Sequence, residues 1–260
     1  MQEKFNLLLN NLRKYKAIAI AFSGGVDSTL LLYTALAALG PENVVALYAR
    51  SKLNAAASLE ESRKVFEGNF PYAASMQEIE VFPLSWPEFV VNDQDRCYYC
   101  KKIMYMALQE AMAVADYSVL ADGTNSDDRQ EKRPGLRAIH ELQIKTPLAD
   151  VGLTKKEVRQ LAKKFGLSNY NLPSNSCLAT RIPENTPVSE ETLLVIASAE
   201  EYLKKNGFLG CRVRVHDSYT IVEVQEKDIE AFSNKSNREN VLSFFLALQL
   251  APVVLNLAGR

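Results

Sequence analysis

A chain of 260 residues, of which 47% are hydrophobic, is long enough to bury a full core and to form one large domain or two smaller ones. The formal net charge of -1 argues against a protein that coats nucleic acid, and no run of about 18 uncharged apolar residues indicates a membrane span. Because the chain has four cysteines and no signal-peptide pattern, we expect a reducing, cytoplasmic location.

Strand-like and helical patterns alternate through the first two thirds of the chain. The apolar residues of the N-terminal segment are spaced like one face of a helix. Predicted strands then cover residues 17–22, 43–49, 75–82 and 117–123. Predicted helices cover about 27–39, 55–67 and 98–114. This alternation is typical of a doubly wound parallel sheet, so the predicted fold class is α/β.

The pattern changes after one more helix, which is marked at both ends. Thr154 and Glu157 form a capping box, and Gly166 stands where the helix should stop. Residues 168–190 are rich in polar residues and proline, as in a linker or a functional loop. A helix and two alternating strands follow. We therefore predict a first domain at 1–182 and a smaller α+β domain at 183–260.

A glycine-rich turn, FSGGVDST at residues 22–29, lies between the first predicted strand and the next helix. Backbone N–H groups in such a turn point at one place, and the helix dipole adds positive charge, which suits phosphate. The turn lacks the lysine of a Walker loop and the spacing GxGxxG. The alternative is a plain strand-to-helix turn, but the strand before it and the helix after it favour the phosphate site.

A second polar segment, ADGTNSDDR at 121–129, follows the fourth predicted strand. It should lie at the carboxyl edge of the sheet, where open α/β folds bind ligands. Asp122, Thr124, Asn125 and Asp128 offer polar groups to a nucleotide or to its magnesium ion. A solvated loop is the alternative interpretation, and the position at this edge favours function.

Two cysteines, Cys97 and Cys100, form a CxxC motif at the start of a predicted helix. The helix dipole and the neighbouring basic residues favour thiolates there. Cys177 follows the last helix of the first domain and could reach the same sheet edge. Three thiolates can hold three irons of a 4Fe-4S cluster and leave the fourth iron open.

Other interpretations of the cysteines stay open from the residues alone. Zinc would need a fourth ligand, for which the chain offers His140 or His216. Cys97 and Cys100 would also suit a redox dithiol, and unrelated core cysteines are the remaining alternative. Cys211, at the head of an alternating strand, is interpreted as a small buried residue.

The turn SGGVDS resembles the SGGxDS loop of the ATP pyrophosphatase (PP-loop) superfamily. Two further segments, GLRAIHELQIKTPLADVGLTKKEVRQLAKKFGL and CLATRIP, are similar to the LarE family of ATP-dependent sulfur transferases. That family helps to make the nickel-pincer nucleotide cofactor of lactate racemase. The resemblance implies a PP-loop first domain and a second domain for substrate binding or assembly into a homo-oligomer. It implies that ATP and Mg2+ are bound by Ser23, Gly24, Gly25, Asp27, Ser28, Thr29, Asp122, Thr124, Asn125 and Asp128.

The resemblance also implies a reaction. Family members adenylate a carboxylate of a pyridinium dicarboxylate mononucleotide, here with Asp27 as a catalytic residue, and then deliver sulfur to give a thiocarboxylate. One branch donates the sulfur of the cysteine that matches Cys177. Another branch holds a 4Fe-4S cluster with three cysteines and passes on sulfide from a sulfur donor. With Cys97, Cys100 and Cys177 together, this chain is similar to the cluster branch.

Three arginines complete the expected site. Arg181 follows Cys177 by four residues and could pair with a substrate carboxylate or phosphate as a catalytic residue. Arg212 and Arg214 share one face of a predicted strand, which suits the substrate phosphate, although a solvated basic face is an equal alternative.

The rival functions are amide-forming synthesis, thiolation of tRNA and a non-catalytic iron-sulfur or zinc carrier. A nucleic-acid partner is not expected, because the charge balance is nearly neutral and only one CxxC is present.

Overall fold

The computed structural model describes the chain except for residues 55, 72–74, 115–116, 118, 131–133, 173–175 and 251. Parts of the predicted helix at 55–67, of the predicted strand at 117–123 and of the polar segment at 168–190 thus lie outside the described residues. The chain forms two compact units, one of Met1–Phe89 with Gln94–Asn175 and one of Val90–Asp93 with Ser176–Arg260. The predicted domains, 1–182 and 183–260, stay a prediction.

The first unit contains a four-stranded parallel sheet with the order β3-β2-β1-β4. Its strands are β1 (Ile18–Ala21), β2 (Val44–Arg50), β3 (Ser75–Glu80) and β4 (Leu120–Asp122). The chain moves outward from β1 through β2 to β3, and then crosses to the other side of β1. The order therefore reverses between β1 and β4, and such a switch point opens a crevice at the carboxyl ends of the strands.

Helices cover both faces of this sheet. The helices up to residue 164 are α1 (Gln2–Leu12), α2 (Val26–Leu39), α3 (Ala56–Asn69), α4 (Pro87–Val90), α5 (Arg96–Val114), α6 (Ser126–Gln130), α7 (Gly135–Glu141), α8 (Pro147–Asp150) and α9 (Lys155–Lys164). Side chains of β1 alternate between the faces: Ile18 and Ile20 pack with α1, α2 and α9, whereas Ala19 packs with α5 and α7. The predicted α/β, doubly wound fold class is confirmed.

The predicted capping box is also confirmed. Thr154 is the N-cap of α9, its hydroxyl accepts a hydrogen bond from the Glu157 N–H, and the Glu157 carboxylate accepts one from the Thr154 N–H. Gly166 adopts a φ of 72° just after the helix. Within the described part of the chain, every helix is too short or too polar to span a membrane.

The second unit is an α+β arrangement. It contains α10 (Glu190–Lys205), β5 (Arg212–Val215), β6 (Thr220–Glu223), α11 (Ile229–Ser233), α12 (Lys235–Ala247) and β7 (Val253–Leu255). β5 and β6, the two alternating strands of the sequence, form an antiparallel hairpin, and β7 joins β6 in parallel. Val213, Val222 and Phe245 lie in the core that the helices form with this sheet.

Candidate active site

The glycine-rich turn lies between the end of β1 and the start of α2. Gly24 has a φ of 73°, and a Cβ added to it would lie 2.6 Å from the Ser62 hydroxyl of α3. That hydroxyl donates a hydrogen bond of 3.0 Å to the Ser23 carbonyl. Glycine is therefore required at position 24 both by its backbone conformation and by the close approach of α3.

Hydrogen bonds from side chains hold the backbone carbonyl groups of the glycine-rich turn. The hydroxyls of Ser28 and Thr29 donate to the Gly25 carbonyl at 3.0 and 2.9 Å. The buried Asn169 amide donates to the Gly24 carbonyl at 2.8 Å and to the Thr29 hydroxyl at 2.9 Å. These bonds hold the backbone of the turn in one conformation before any ligand binds. The nucleotide contacts predicted for Ser28 and Thr29 stay predictions.

Asp27 joins the turn to the segment that follows β4. Its Oδ1 accepts a hydrogen bond of 3.2 Å from the Asn125 amide, and its Oδ2 forms an ion pair with Lys155. Gly123 packs so tightly against the same turn that an added Cβ would lie 2.8 Å from the Ser28 nitrogen. The structure thus brings the two predicted nucleotide-binding segments together at the β1–β4 switch point.

Asp122 is held by groups that surround the end of β4. Its carboxylate accepts hydrogen bonds of 2.5 Å from the Tyr105 hydroxyl and of 2.8 Å from the Thr124 N–H, and the Lys101 ammonium lies 3.7 Å away. Burial, and then the negative charge of Asp122, raise the pKa of Tyr105 well above its ordinary value. Tyr105 therefore stays protonated and fixes the carboxylate at the sheet edge.

The start of α6 is closed by Asn125 and Asp128. The Asn125 side-chain oxygen accepts a hydrogen bond from the Asp127 N–H at 3.0 Å, and the Asp128 carboxylate accepts one from the Asn125 N–H at 3.1 Å. The Asp127 carboxylate accepts a bond of 2.9 Å from the N–H of Lys155. Asn125 is thereby oriented toward Asp27, and Lys155 is held close to both segments.

Cys97 and Cys100 are the second and fifth residues of α5. Because α5 follows β3 and leads back to the parallel strand β4, it begins at the carboxyl edge of the sheet. Lys101, which follows Cys100, reaches Asp122 at this edge. Cys97 is exposed and Cys100 is half-buried. The first unit therefore presents the CxxC motif on the edge that carries the glycine-rich turn.

Cys177 lies in the second unit, as the N-cap of a short 3-10 helix (Leu178–Arg181). The Thr180 hydroxyl donates a hydrogen bond of 2.8 Å to the Cys177 carbonyl. The Arg181 guanidinium donates to the Ser176 hydroxyl at 2.6 Å and to the Thr180 hydroxyl at 2.8 Å. Within each unit, the described residues contain no group of three His, Cys, Asp or Glu side chains that could hold a metal ion.

A buried ion pair supports the Cys177 loop. The side chains of Arg181 and Glu200 are 3% and 7% exposed, and Arg181 Nε lies 2.7 Å from Glu200 Oε1. Glu200 also accepts a hydrogen bond of 3.1 Å from the Val213 N–H of β5. Arg181 thus links the loop to the core of the second unit. Its predicted contact with the substrate stays a prediction.

Arg212 and Arg214 flank the buried Val213 and lie on one face of β5, as predicted. Arg214 Nε forms an ion pair of 2.9 Å with Glu223, and its Nη1 donates to the Thr180 carbonyl at 2.9 Å. The buried Nε of Arg212 has no hydrogen-bond partner within the described residues. Burial, and then neighbouring arginines, lower the pKa of Arg212. A half-buried guanidinium whose Nε is unsatisfied is suited to an anionic ligand.

Sequence reasoning missed three residues that shape these sites. Lys155 carries positive charge in the first turn of α9, where the helix dipole disfavours it, and Glu200 interrupts the apolar stripe of α10. Both residues depart from the usual pattern of a helix, so the sequence alone could have pointed to them. Asn169 carries no comparable signal, because its role depends on long-range packing.

Comparisons with known proteins identify the family. The model of the NAD synthase family matches residues 2–85, which include the glycine-rich turn. The pyridinium-3,5-bisthiocarboxylic acid mononucleotide synthase of Lactiplantibacillus plantarum is 32% identical over 235 residues, which are 89% of this chain and 84% of that protein. The chain belongs to the LarE family.

Two more relatives extend over nearly the whole chain. An uncharacterized protein of Synechocystis is 30% identical over 255 residues, which cover 96% of this chain and 94% of that protein. An uncharacterized protein of Methanocaldococcus jannaschii is 31% identical over 259 residues, which cover 98% and 96%. The LarE resemblance noted in the sequence is thereby confirmed, and it includes both compact units.

Proposed function

We propose that this LarE-family chain is an ATP-dependent sulfurtransferase. It adenylates a carboxylate of a pyridinium dicarboxylate mononucleotide and converts that carboxylate to a thiocarboxylate, as in nickel-pincer nucleotide synthesis. The observation that carries the proposal is the contact of Asp27 with Asn125 and Lys155 at the β1–β4 switch point. The name of the Lactiplantibacillus relative supports the substrate class. We also propose that the protein works in the cytoplasm as a homo-oligomer and receives sulfide or sulfur from a donor.

The first unit would bind ATP through its backbone. The N–H groups of the glycine-rich turn and the positive end of the α2 dipole would hold the β and γ phosphates. Carboxylates such as those of Asp27 and Asp128 are hard oxygen ligands that fit Mg2+, which neutralises phosphate charge when bound. Lys155, now paired with Asp27, is placed to neutralise part of the remaining phosphate charge.

Adenylation makes the carboxylate reactive. A carboxylate oxygen attacks the α-phosphorus of ATP, and the bond from that phosphorus to the β-phosphate oxygen breaks, so pyrophosphate leaves. A sulfur anion then attacks the carbonyl carbon of the acyl adenylate. The carbon–oxygen bond to AMP breaks, and a thiocarboxylate and AMP result. Each step has a charged leaving group that the site must stabilise.

The cysteines are the proposed source of reactive sulfur. Cys97 and Cys100 are three residues apart near the start of α5, so their sulfur atoms lie on neighbouring positions of one helix. This pair fits two of the three thiolate ligands of a 4Fe-4S cluster, and Cys177 would be the third. When bound, the cluster would supply sulfide for transfer. Donation of the Cys177 sulfur itself is the alternative, since the loop that carries Cys177 is held by Arg181.

The ATP chemistry is tested by Asp27→Ala. We expect the production of AMP and pyrophosphate to fall by about 100-fold or more, since a charged group that acts in the transition state is lost. The melting temperature should stay near that of the wild type. Glu60→Gln, which removes an exposed carboxylate of α3, is the matched control and should keep full activity. Release of ADP and inorganic phosphate by the wild type would contradict the PP-loop assignment.

A further inference from the structure

The segment that follows β7 continues beside β6, passes its end and reaches the residue Gly210 before β5. The Asn256 N–H donates a hydrogen bond of 2.9 Å to the Val222 carbonyl of β6, and the Ala258 N–H donates one of 3.0 Å to the Asn256 side chain. Gly259 has a φ of 69°, and an added Cβ would lie 2.7 Å from the Glu226 α-carbon. The path of residues 256–260 is therefore fixed by contacts with β6 and with the segment after it.

This path brings Arg260 to the strand that carries the other arginines. The Arg260 guanidinium donates a hydrogen bond to the carbonyl of Gly210, which lies two residues before Arg212. Arg260 belongs to none of the motifs that the sequence shows. Its guanidinium is positioned beside β5 only because the backbone turns between β7 and residue 260.

The charges around β5 do not balance. Four guanidinium groups, those of Arg181, Arg212, Arg214 and Arg260, influence one another there. The carboxylates that pair with them are those of Glu200, with Arg181, and Glu223, with Arg214. Among the described residues, ion pairs thus match two of these four positive charges and leave a surplus of two. Burial, and then the charges of neighbouring arginines, lower the pKa of Arg260 as they do that of Arg212.

Clustered like charges with a buried, unsatisfied Nε are unfavourable unless an anion joins them. We propose that Arg260 is the third arginine, with Arg212 and Arg214, of a site for the phosphate monoester of the mononucleotide substrate. A phosphate monoester carries close to two negative charges near pH 7, which match the two surplus positive charges. Guanidinium forks bind phosphate oxygens in pairs. The inference rests on the proposed function, because it names how that substrate is held.

The test is the binding of D-ribose 5-phosphate to the whole protein, measured by titration calorimetry. Arg260→Gln should weaken binding about tenfold or more, which is the effect of losing one charged hydrogen-bond partner. Arg260→Lys keeps the positive charge but not the forked guanidinium. Its affinity for the phosphate should therefore lie between those of the wild type and Arg260→Gln. Arg238→Gln, which removes an exposed arginine of α12, is the matched control and should bind like the wild type. Ribonate, a carboxylate of similar size with one charge, should bind more weakly than the phosphate.

Equal affinities of the wild type and Arg260→Gln would overturn the proposal, as would a wild type that does not bind the phosphate probe. Because Arg260→Lys retains a donor for the Gly210 carbonyl, recovery of affinity in that variant separates loss of charge from loss of structure. Thiocarboxylate formation is measured separately. If thiocarboxylate forms but Arg260→Gln binds normally, only this inference fails. If Arg260→Gln loses binding but no thiocarboxylate forms, only the proposed function fails.

Discussion

At the scale of single residues, Glu200 connects the loop of Cys177 to the core of the second unit. Glu200→Ala would leave the Arg181 guanidinium buried without its counter-charge. Removing one partner of a buried ion pair costs about 3 kcal/mol or more, so we expect the free energy of unfolding in urea to fall by that amount. The reaction of Cys177 with an alkylating reagent should also become faster, because Arg181 is no longer held in place.

The neighbouring Glu201→Ala is the control for this prediction. The Glu201 side chain is 45% exposed and pairs with Lys205 one helical turn away, so its loss should change the free energy of unfolding by less than about 0.5 kcal/mol. Equal effects of the two substitutions would show that Glu200 has no special structural role.

The positions of some functional residues could be predicted from the sequence, and those of others could not. Asp27 and Asn125 were predicted at one site because parallel strands end at a common edge, and the structure places their side chains in contact. The partners of Arg181 were not predicted. Glu200 is 19 residues away along the chain, and the packing of α10 against the 3-10 helix Leu178–Arg181 brings the two side chains together. A single sequence contains local periodicity but not such contacts.

At the scale of elements, predictions were accurate where a local signal marks the boundary. The capping box begins α9 where it was predicted, and the glycine-rich turn separates β1 from α2. The fourth strand is shorter than predicted, with β4 limited to Leu120–Asp122. The ladder between β1 and β4 joins Ala19–Ala21 to Leu120–Asp122, so it covers three residues of each strand. The order of the strands within the sheet could not be predicted from the alternation of strand-like and helical patterns along the chain.

The α9 capping box makes stability depend on pH. Hydrogen bonds from Lys4 and then from the Thr154 N–H lower the pKa of Glu157 from 4.5 to about 2. Because the pKa is lower in the folded state, the carboxylate contributes its full stability above about pH 4.5, and this contribution is lost as the pH falls toward 2. We expect wild type and Glu157→Gln to differ by about 1 to 2 kcal/mol at pH 7 in the free energy of unfolding.

That difference should shrink steadily between pH 5 and pH 3 when both proteins are unfolded with urea. Glu191→Gln serves as the control, since Glu191 is an exposed residue in the first turn of α10. A difference between wild type and Glu157→Gln that stays constant over this range would show that the carboxylate charge is not the stabilising feature.

At the scale of the whole molecule, substituting the three cysteines one at a time distinguishes between the possible sources of the transferred sulfur. If they hold one cluster, Cys97→Ala, Cys100→Ala and Cys177→Ala should each lose most of the iron from anaerobically reconstituted protein, because two thiolates hold a cluster poorly. Cys211→Ala is the control and should keep its iron, since burial raises the pKa of that thiol to about 12.

A different pattern of iron contents and reaction products among these variants would support a different source of the sulfur. If Cys177 were a sacrificial donor, only Cys177→Ala would abolish sulfur transfer, and mass spectrometry after one turnover would find dehydroalanine at position 177. If Cys97 and Cys100 were a redox dithiol, both would be needed and Cys177 would not. Wild-type protein that stays colourless after reconstitution with iron and sulfide would contradict the cluster.

The central claim, that ATP is used to turn a carboxylate into a thiocarboxylate, is tested most directly by the product balance. Wild-type protein is incubated anaerobically with ATP, Mg2+, sulfide and the pyridinium dicarboxylate mononucleotide, and AMP, pyrophosphate and thiocarboxylate are quantified together. The account predicts equal amounts of the three products, which exceed the amount of protein. Formation of ADP and inorganic phosphate, or of AMP without any thiocarboxylate, would contradict it.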